Sequence, residues 1–199
     1  MTALTLPASA LPASSLAAPD LPAPTLLDHV RRAAAIKILI LDVDGVLTDG
    51  SLTYGADGEV TKTFNVLDGL GIELLQKSGV AVAIISARSS PVVLRRAADL
   101  KIVHVYQGTH DKRIAFAALL AATGVTAAQC GYIGDDVIDL PLLRAVGFAV
   151  TVPSGHAEVQ HRAHYVTRAN GGRGAVREVC DLVLRAQGTY DAALAQYFA

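Results

Sequence analysis

A few side chains in this sequence could do chemistry together. Asp42 and Asp44 stand two residues apart in Asp42-Val43-Asp44-Gly45, directly after the apolar run Ile38-Leu39-Ile40-Leu41. Ser86 follows a second apolar run ending in Ile84-Ile85, Lys112 opens a helical stretch, and Asp135 and Asp136 follow Cys130-Gly131-Tyr132-Ile133. Carboxylates this close repel one another unless a cation or a shared proton compensates. Asp in such a place is also a common turn cap, so no single pair decides the matter. The recurrence of polar groups after successive apolar runs does. The set suits phosphoryl transfer through an aspartyl-phosphate. A carboxylate attacks phosphorus and splits one hard displacement into two easier ones, while cations offset the meeting of two anions. Asp42 and Asp135 offer carboxylates to Mg²⁺, and Asp44 offers its backbone carbonyl, as a hard octahedral ion prefers. Lys112 supplies a compact positive charge and Ser86 a hydroxyl to phosphate oxygens. Asp44 can protonate a leaving alcohol and then deprotonate water.

The elements that must position these groups follow from periodicity. The run at 38–41 reads as a strand buried on both faces, as in a parallel sheet. Further strands are expected at 80–85, 102–106, 130–133, 148–152 and 165–167, and helices at 26–35, 68–78, 91–100, 111–123, 138–145, 156–162 and 175–187. Alternation about Gly55-Ala56-Asp57-Gly58 predicts a β-hairpin within residues 50–63. Strands alternating with helices give an α/β, doubly wound parallel sheet, whose ligand crevice lies beyond the carboxyl ends of the strands. Parallel strands would bring all the polar groups to that one edge.

Composition narrows the class. The chain has 199 residues, 52% of them hydrophobic and 18% charged, with a net charge of −1. That suits one domain of ordinary size with a buried sheet and gives no basic face for nucleic acid. No apolar run reaches the roughly 18 residues that would span a bilayer. Cys130 and Cys180 form no Cys-x-x-Cys pair, and reduced thiols in the cytoplasm are expected. Residues 1–33 begin as an Ala/Pro-rich stretch without Lys or Arg over 1–24, expected to be a flexible extension rather than a secretory signal. The domain is expected over 34–188, with a weakly patterned tail at 189–199.

Taken in order, these motifs resemble the haloacid dehalogenase superfamily of phosphohydrolases. Asp42-Val43-Asp44-Gly45-Val46-Leu47-Thr48 matches its first motif, Ile84-Ile85-Ser86 its second, Lys112 its third, and Gly134-Asp135-Asp136 with Asp139 its fourth. The resemblance implies a Rossmann-like fold with Asp42 as nucleophile, Asp44 as general acid/base, Asp42, Asp44 and Asp135 at Mg²⁺, and Asp139 orienting Lys112 or water. Across 36–188 the chain is similar to the capless members that remove phosphate from 3-deoxy-D-manno-octulosonate 8-phosphate in lipopolysaccharide biosynthesis. The stretches carrying this are Thr48-Asp49-Gly50, Phe64-Asn65 with Asp68-Gly69, Tyr106-Gln107-Gly108 and the glycine-rich run at 171–178. It implies a homotetramer whose hairpins pack together, and Thr48, Asp68, Gly69 and Arg173 at the substrate. Arg173 is equally readable as part of a solvated helix face.

Arg88, two residues beyond Ser86, is placed to pair a substrate carboxylate bidentately, although an exposed helix-start residue would look the same. Leu67 departs from the basic residue that relatives usually carry before Asp68-Gly69, and Ser86-Ala87-Arg88 replaces the more usual Thr-Gly-Arg. The alternatives are a phosphatase for a nine-carbon sugar-acid phosphate and a non-catalytic partner of a sugar-nucleotide synthetase. A calcium loop is rejected, since Val46 stands where the EF-hand pattern needs Asp or Asn.

Overall fold

The computed structural model describes residues 26–56 and 58–198. Residues 1–25 of the extension expected over 1–33, Asp57 and Ala199 lie outside them. In chain order the elements are α1 (Leu26–Ala35), β1 (Ile38–Leu41), β2 (Thr53–Gly55), β3 (Gly58–Thr61), α2 (Val66–Lys77), β4 (Ala81–Ile85), α3 (Pro91–Asp99) and β5 (His104–Tyr106). They continue as α4 (Lys112–Thr123), β6 (Cys130–Ile133), α5 (Leu140–Leu143), β7 (Phe148–Thr151), α6 (Ala157–Arg162), β8 (Tyr165–Val166), α7 (Ala175–Ala186) and α8 (Tyr190–Leu194).

Six strands form one sheet in the order β5-β4-β1-β6-β7-β8, with every neighbour parallel. The chain leaves β1 towards β4 and β5, then returns to the other side of β1 as β6. The order therefore reverses at β1, the kind of point where doubly wound sheets bind ligands. Each strand serves both faces by its two-residue period. Leu39, Leu41, Val82, Ile84, Phe148 and Val150 pack with α1, α2, α3 and α7. Ile38, Ile40, Ala83, Ile85, Tyr132 and Ala149 pack with α4, α5 and α6. This gives three layers, and each fully buried Ile or Leu contributes on the order of 1.5–3 kcal/mol.

The hairpin β2–β3 forms a separate two-stranded sheet between β1 and α2. Among the described residues no element large enough to be a cap domain stands there, because eleven residues separate the end of β1 from β2 before the hairpin leads into α2. Three boundaries differ from expectation by two residues or more, among them β5, which starts at His104 rather than at 102. Helix α2 starts two residues early, because the Asn65 side chain caps it by accepting from the Leu67 N–H. The helix expected over 138–145 is a 3₁₀ turn at Val137–Asp139 followed by one short α-turn, with Pro141 in its first turn. Ala33 of α1 is fully buried in the core, so the domain's edge is better drawn at the start of α1 than at residue 34. The tail is helical too, and Tyr190, Ala193 and Leu194 lie against the core.

Candidate active site

The chemistry-bearing groups do meet at the carboxyl edge of the sheet. Asp42 follows β1, whose end is tied to β6 by the Asp42 N–H donating to the Ile133 carbonyl at 3.0 Å. The Asp42 side chain is buried, and its Oδ1 accepts from the Val43 N–H at 2.7 Å. Lys112, in the first turn of α4, extends its buried ammonium to Asp42 Oδ2 at 2.9 Å and Asp139 Oδ1 at 2.6 Å. Burial works against the Lys112 charge, but Asp42 and Asp139 outweigh it and lift its pKa above the usual lysine value. Ser86, at the end of β4, is buried and accepts from the Arg88 N–H.

Asp139 has no spare oxygen. Oδ1 accepts from Lys112 Nζ and from the Tyr132 hydroxyl at 2.6 Å. Oδ2 accepts from the N–H groups of Asp135 and Asp136 at 2.9 and 3.1 Å. It lies within reach of a shared ion with Asp42 and Asp135, but its lone pairs are already used to aim Lys112 and to shape the turn bearing Asp135. Tyr132 is a participant that the sequence reading passed over. It looks like one more apolar strand residue, yet its hydroxyl joins Asp139 to Lys112, accepting from the ammonium at 3.0 Å. Asp136 caps the 3₁₀ turn.

Two carboxylates remain open to a metal. Burial, with the Asp139 charge adding and Lys112 opposing, raises the Asp42 pKa to about 7. Burial, then the charges of Asp139 and Asp136, raises Asp135 to about 7. Three ionised carboxylates against one lysine leave two negative charges for a dication to balance. All the donors are oxygens, which fits Mg²⁺ and offers nothing to a thiol-seeking metal. Gly45 makes the approach possible: its φ is +83°, and a Cβ there would lie 2.0 Å from Asp135 Oδ2.

Asp44 has different surroundings. The Lys62 ammonium, from just beyond β3, pairs with its Oδ1, and Arg88 Nε stands 3.6 Å from its Oδ2. Arg88 also donates to the Tyr54 hydroxyl on β2 at 3.2 Å. Lys62 was not anticipated, because a lysine ending an alternating strand usually reads as a solvated residue.

The other residues expected at the substrate make contacts within the chain. Thr48 is buried and accepts from the Gly50 N–H within its own turn. Asp68 is buried and accepts from the N–H groups of Gly174 and Arg177, capping the start of α7. Gly69 faces α3, where a Cβ would lie 2.4 Å from the Arg96 guanidinium. Arg173 is exposed and faces Asp49 at 3.5 Å rather than the central carboxylates. Its loop lies flat on the Asp42 turn, and a Cβ at Gly171 would stand 1.8 Å from the Gly45 carbonyl oxygen.

Comparison with known proteins agrees with this geometry. The family profile of the haloacid dehalogenase-like hydrolases matches residues 96–179. The 3-deoxy-D-manno-octulosonate 8-phosphate phosphatase of Escherichia coli K12 is 49% identical over 85% of this chain and 90% of its own. The crystal structure of the phosphatase of that name from Yersinia pestis has a TM-score of 0.81 at 49% identity, covering 82% of this chain and 89% of that one. One from Moraxella catarrhalis, in complex with a magnesium ion, a phosphate ion and a KDO molecule, has a TM-score of 0.84 at 43% identity over 87% and 99%. With its fold, its carboxyl-edge carboxylates and its identity to these proteins over most of their length, the chain belongs to the 3-deoxy-D-manno-octulosonate 8-phosphate phosphatase family of haloacid dehalogenase-like hydrolases.

Proposed function

We propose that this enzyme hydrolyses 3-deoxy-D-manno-octulosonate 8-phosphate to the free sugar acid and phosphate, for lipopolysaccharide biosynthesis. The observation that carries the chemistry is the buried Asp42–Lys112–Asp139 array beside Asp135. The substrate is inferred from the relatives, which bear that activity in their names.

Asp42 is the nucleophile. Its carboxylate oxygen attacks phosphorus as the bond from phosphorus to the sugar oxygen breaks, and Asp44 gives that oxygen a proton. The phosphoryl group then rests on Asp42. Asp44 takes a proton from water, water attacks phosphorus, and phosphate leaves with the Asp42 carboxylate restored. Lys112 and the Ser86 hydroxyl hold phosphate oxygens, and Asp139 with Tyr132 keeps Lys112 aimed. The carboxylates of Asp42 and Asp135 and the backbone carbonyl of Asp44 hold Mg²⁺, which supplies the positive charge that lets a phosphate dianion approach two carboxylates.

Arg88 is the group for the substrate carboxylate: its side chain is 42% exposed and it sits at the mouth of the site. Arg173 faces outward from its loop, so we assign it to contact with a neighbouring subunit or that subunit's substrate. A homotetramer is supported by the hairpin, where Leu52 and Tyr54 are exposed on an element with no cap over it. Among the described residues no helix is long and apolar enough to cross a membrane, and we place the enzyme in the cytoplasm.

The test is a panel of phosphorylated substrates compared by kcat/KM: the eight-carbon acid, a nine-carbon acid and neutral hexose phosphates. The octulosonate should be preferred and the neutral sugars poor. A preference for the nine-carbon acid would move the assignment to that substrate, which the uncharged Leu67 at the start of α2 leaves room for. Equal turnover of neutral sugars would defeat carboxylate recognition by Arg88.

A further inference from the structure

The hairpin has a feature that packing does not require. Lys62 follows β3 directly, yet its side chain is only 2% exposed and its ammonium pairs with Asp44 Oδ1. A lysine at a strand end can reach water at little cost, and burying its charge is unfavourable unless the partner is well placed. The same hairpin reaches Asp44 by a second route, since Tyr54 on β2 accepts from Arg88, whose Nε faces Asp44 Oδ2. Both strands therefore hold the one carboxylate that the proposed mechanism needs to move between leaving oxygen and water. Asp42, by contrast, is fixed from β1, β6 and α4 without the hairpin.

We propose that Lys62 is a positioning residue for proton transfer. Resting on the assignment of Asp44 as acid/base, its ammonium fixes the rotamer of Asp44, so that one carboxylate oxygen faces the departing sugar oxygen. The hairpin is thus a working part of the active site as well as a surface. Lys62 need not touch the substrate. Its effect falls on substrates whose leaving oxygen needs a proton, and spares those whose leaving group departs as a stable anion.

The experiment compares kcat/KM of the wild type, Lys62→Met and Lys62→Arg on three substrates: 3-deoxy-D-manno-octulosonate 8-phosphate, a neutral sugar phosphate and para-nitrophenyl phosphate. The ratio kcat/KM reports transfer to Asp42, the step in which the alcohol leaves. Lys62→Met should lose about 10–100-fold on both alkyl phosphates, part of the ~10²–10⁴-fold that positioned proton transfer supplies, and less than about 3-fold on the aryl phosphate. Lys62→Arg should recover part of the loss. An equal loss on all three substrates would reduce Lys62 to a structural role. A loss confined to the carboxylated substrate would make it a substrate ligand. Either outcome overturns the proposal. The wild-type ratio between acid and neutral sugar tests the substrate assignment separately, and its failure leaves the alkyl-to-aryl comparison intact.

Discussion

Asp42 and Asp44 stand two residues apart but in opposite electrostatic settings, and their variants should differ accordingly. Asp42→Asn cannot form an acyl phosphate and should abolish turnover in a folded protein, as measured by phosphate release and circular dichroism. Asp44→Asn keeps the nucleophile and should be slower by about 10²–10⁴-fold. The raised pKa values of Asp42 and Asp135, both about 7, bear on stability. A carboxyl whose folded pKa exceeds its unfolded value stabilises the fold fully below the unfolded value and loses that contribution as pH rises through the folded one. The metal-free enzyme should therefore lose stability from this pair between about pH 4 and pH 7. Mg²⁺ binds the ionised pair in competition with protons, so it should raise the melting temperature more at pH 8 than at pH 5.5. Equal shifts at the two pH values would remove these carboxylates from the metal site. The central carboxylates and Lys112 were legible in the sequence because each follows or opens an element whose periodicity is plain. Tyr132 and Lys62 were not, since their roles depend on partners brought near only by folding: Asp139 and Lys112 for one, Asp44 for the other.

At the scale of elements, α2 and α7 form the frame beneath the Asp42 turn. Asp68 joins them, receiving the first N–H groups of α7. Burial raises its pKa against those donors, so the cap is retained by geometry rather than by exposed charge. Asp68→Ala should cost about 1–2 kcal/mol by chemical denaturation, the usual loss of a helix N-cap, and should loosen the loop carrying Gly171. Asp68→Asn keeps an acceptor and should lose less. The resemblance implied Asp68 and Gly69 at the substrate, and in the fold Gly69 and Gly71 both stand where helices pack closely. A Cβ at Gly71 would lie 2.8 Å from the Arg177 side chain and 3.1 Å from its Cα. Spacing shows that a glycine is needed; it does not show whether a ligand or another helix is the neighbour. The central strands β1, β4, β6 and β7 were read to within a residue because two-sided burial leaves an unbroken apolar run, whereas the edge strand β5 was overextended by two residues and α5 because Pro141 and the 3₁₀ turn shorten it.

For the whole molecule, the sheet fixes one half of the site and the peripheral segments complete it. The tail looked weakly patterned in sequence. In the structure it is tied down: the Arg185 guanidinium stacks 3.5 Å from the Tyr190 ring centroid, and Leu194 packs on the core. Truncation after Gln187 should lower the melting temperature by several degrees, as loss of about 1–2 kcal/mol does in a domain of this size. Assembly is tested by light scattering, where a homotetramer is expected and a stable, fully active monomer would contradict it. Finally, the loop bearing Gly171 touches the Asp42 turn backbone to backbone. Gly45, Gly171 and Gly172 each face an atom within 2.6 Å of where a Cβ would stand. Nothing can be added at the floor of the site without moving the nucleophile. Descendants of this chain that acquire new substrates, in nature or in a laboratory library, must therefore change at the rim, on the hairpin, at Arg88 or in the first turn of α2. Divergence of specificity in this lineage should be written there, over an unchanging glycine floor.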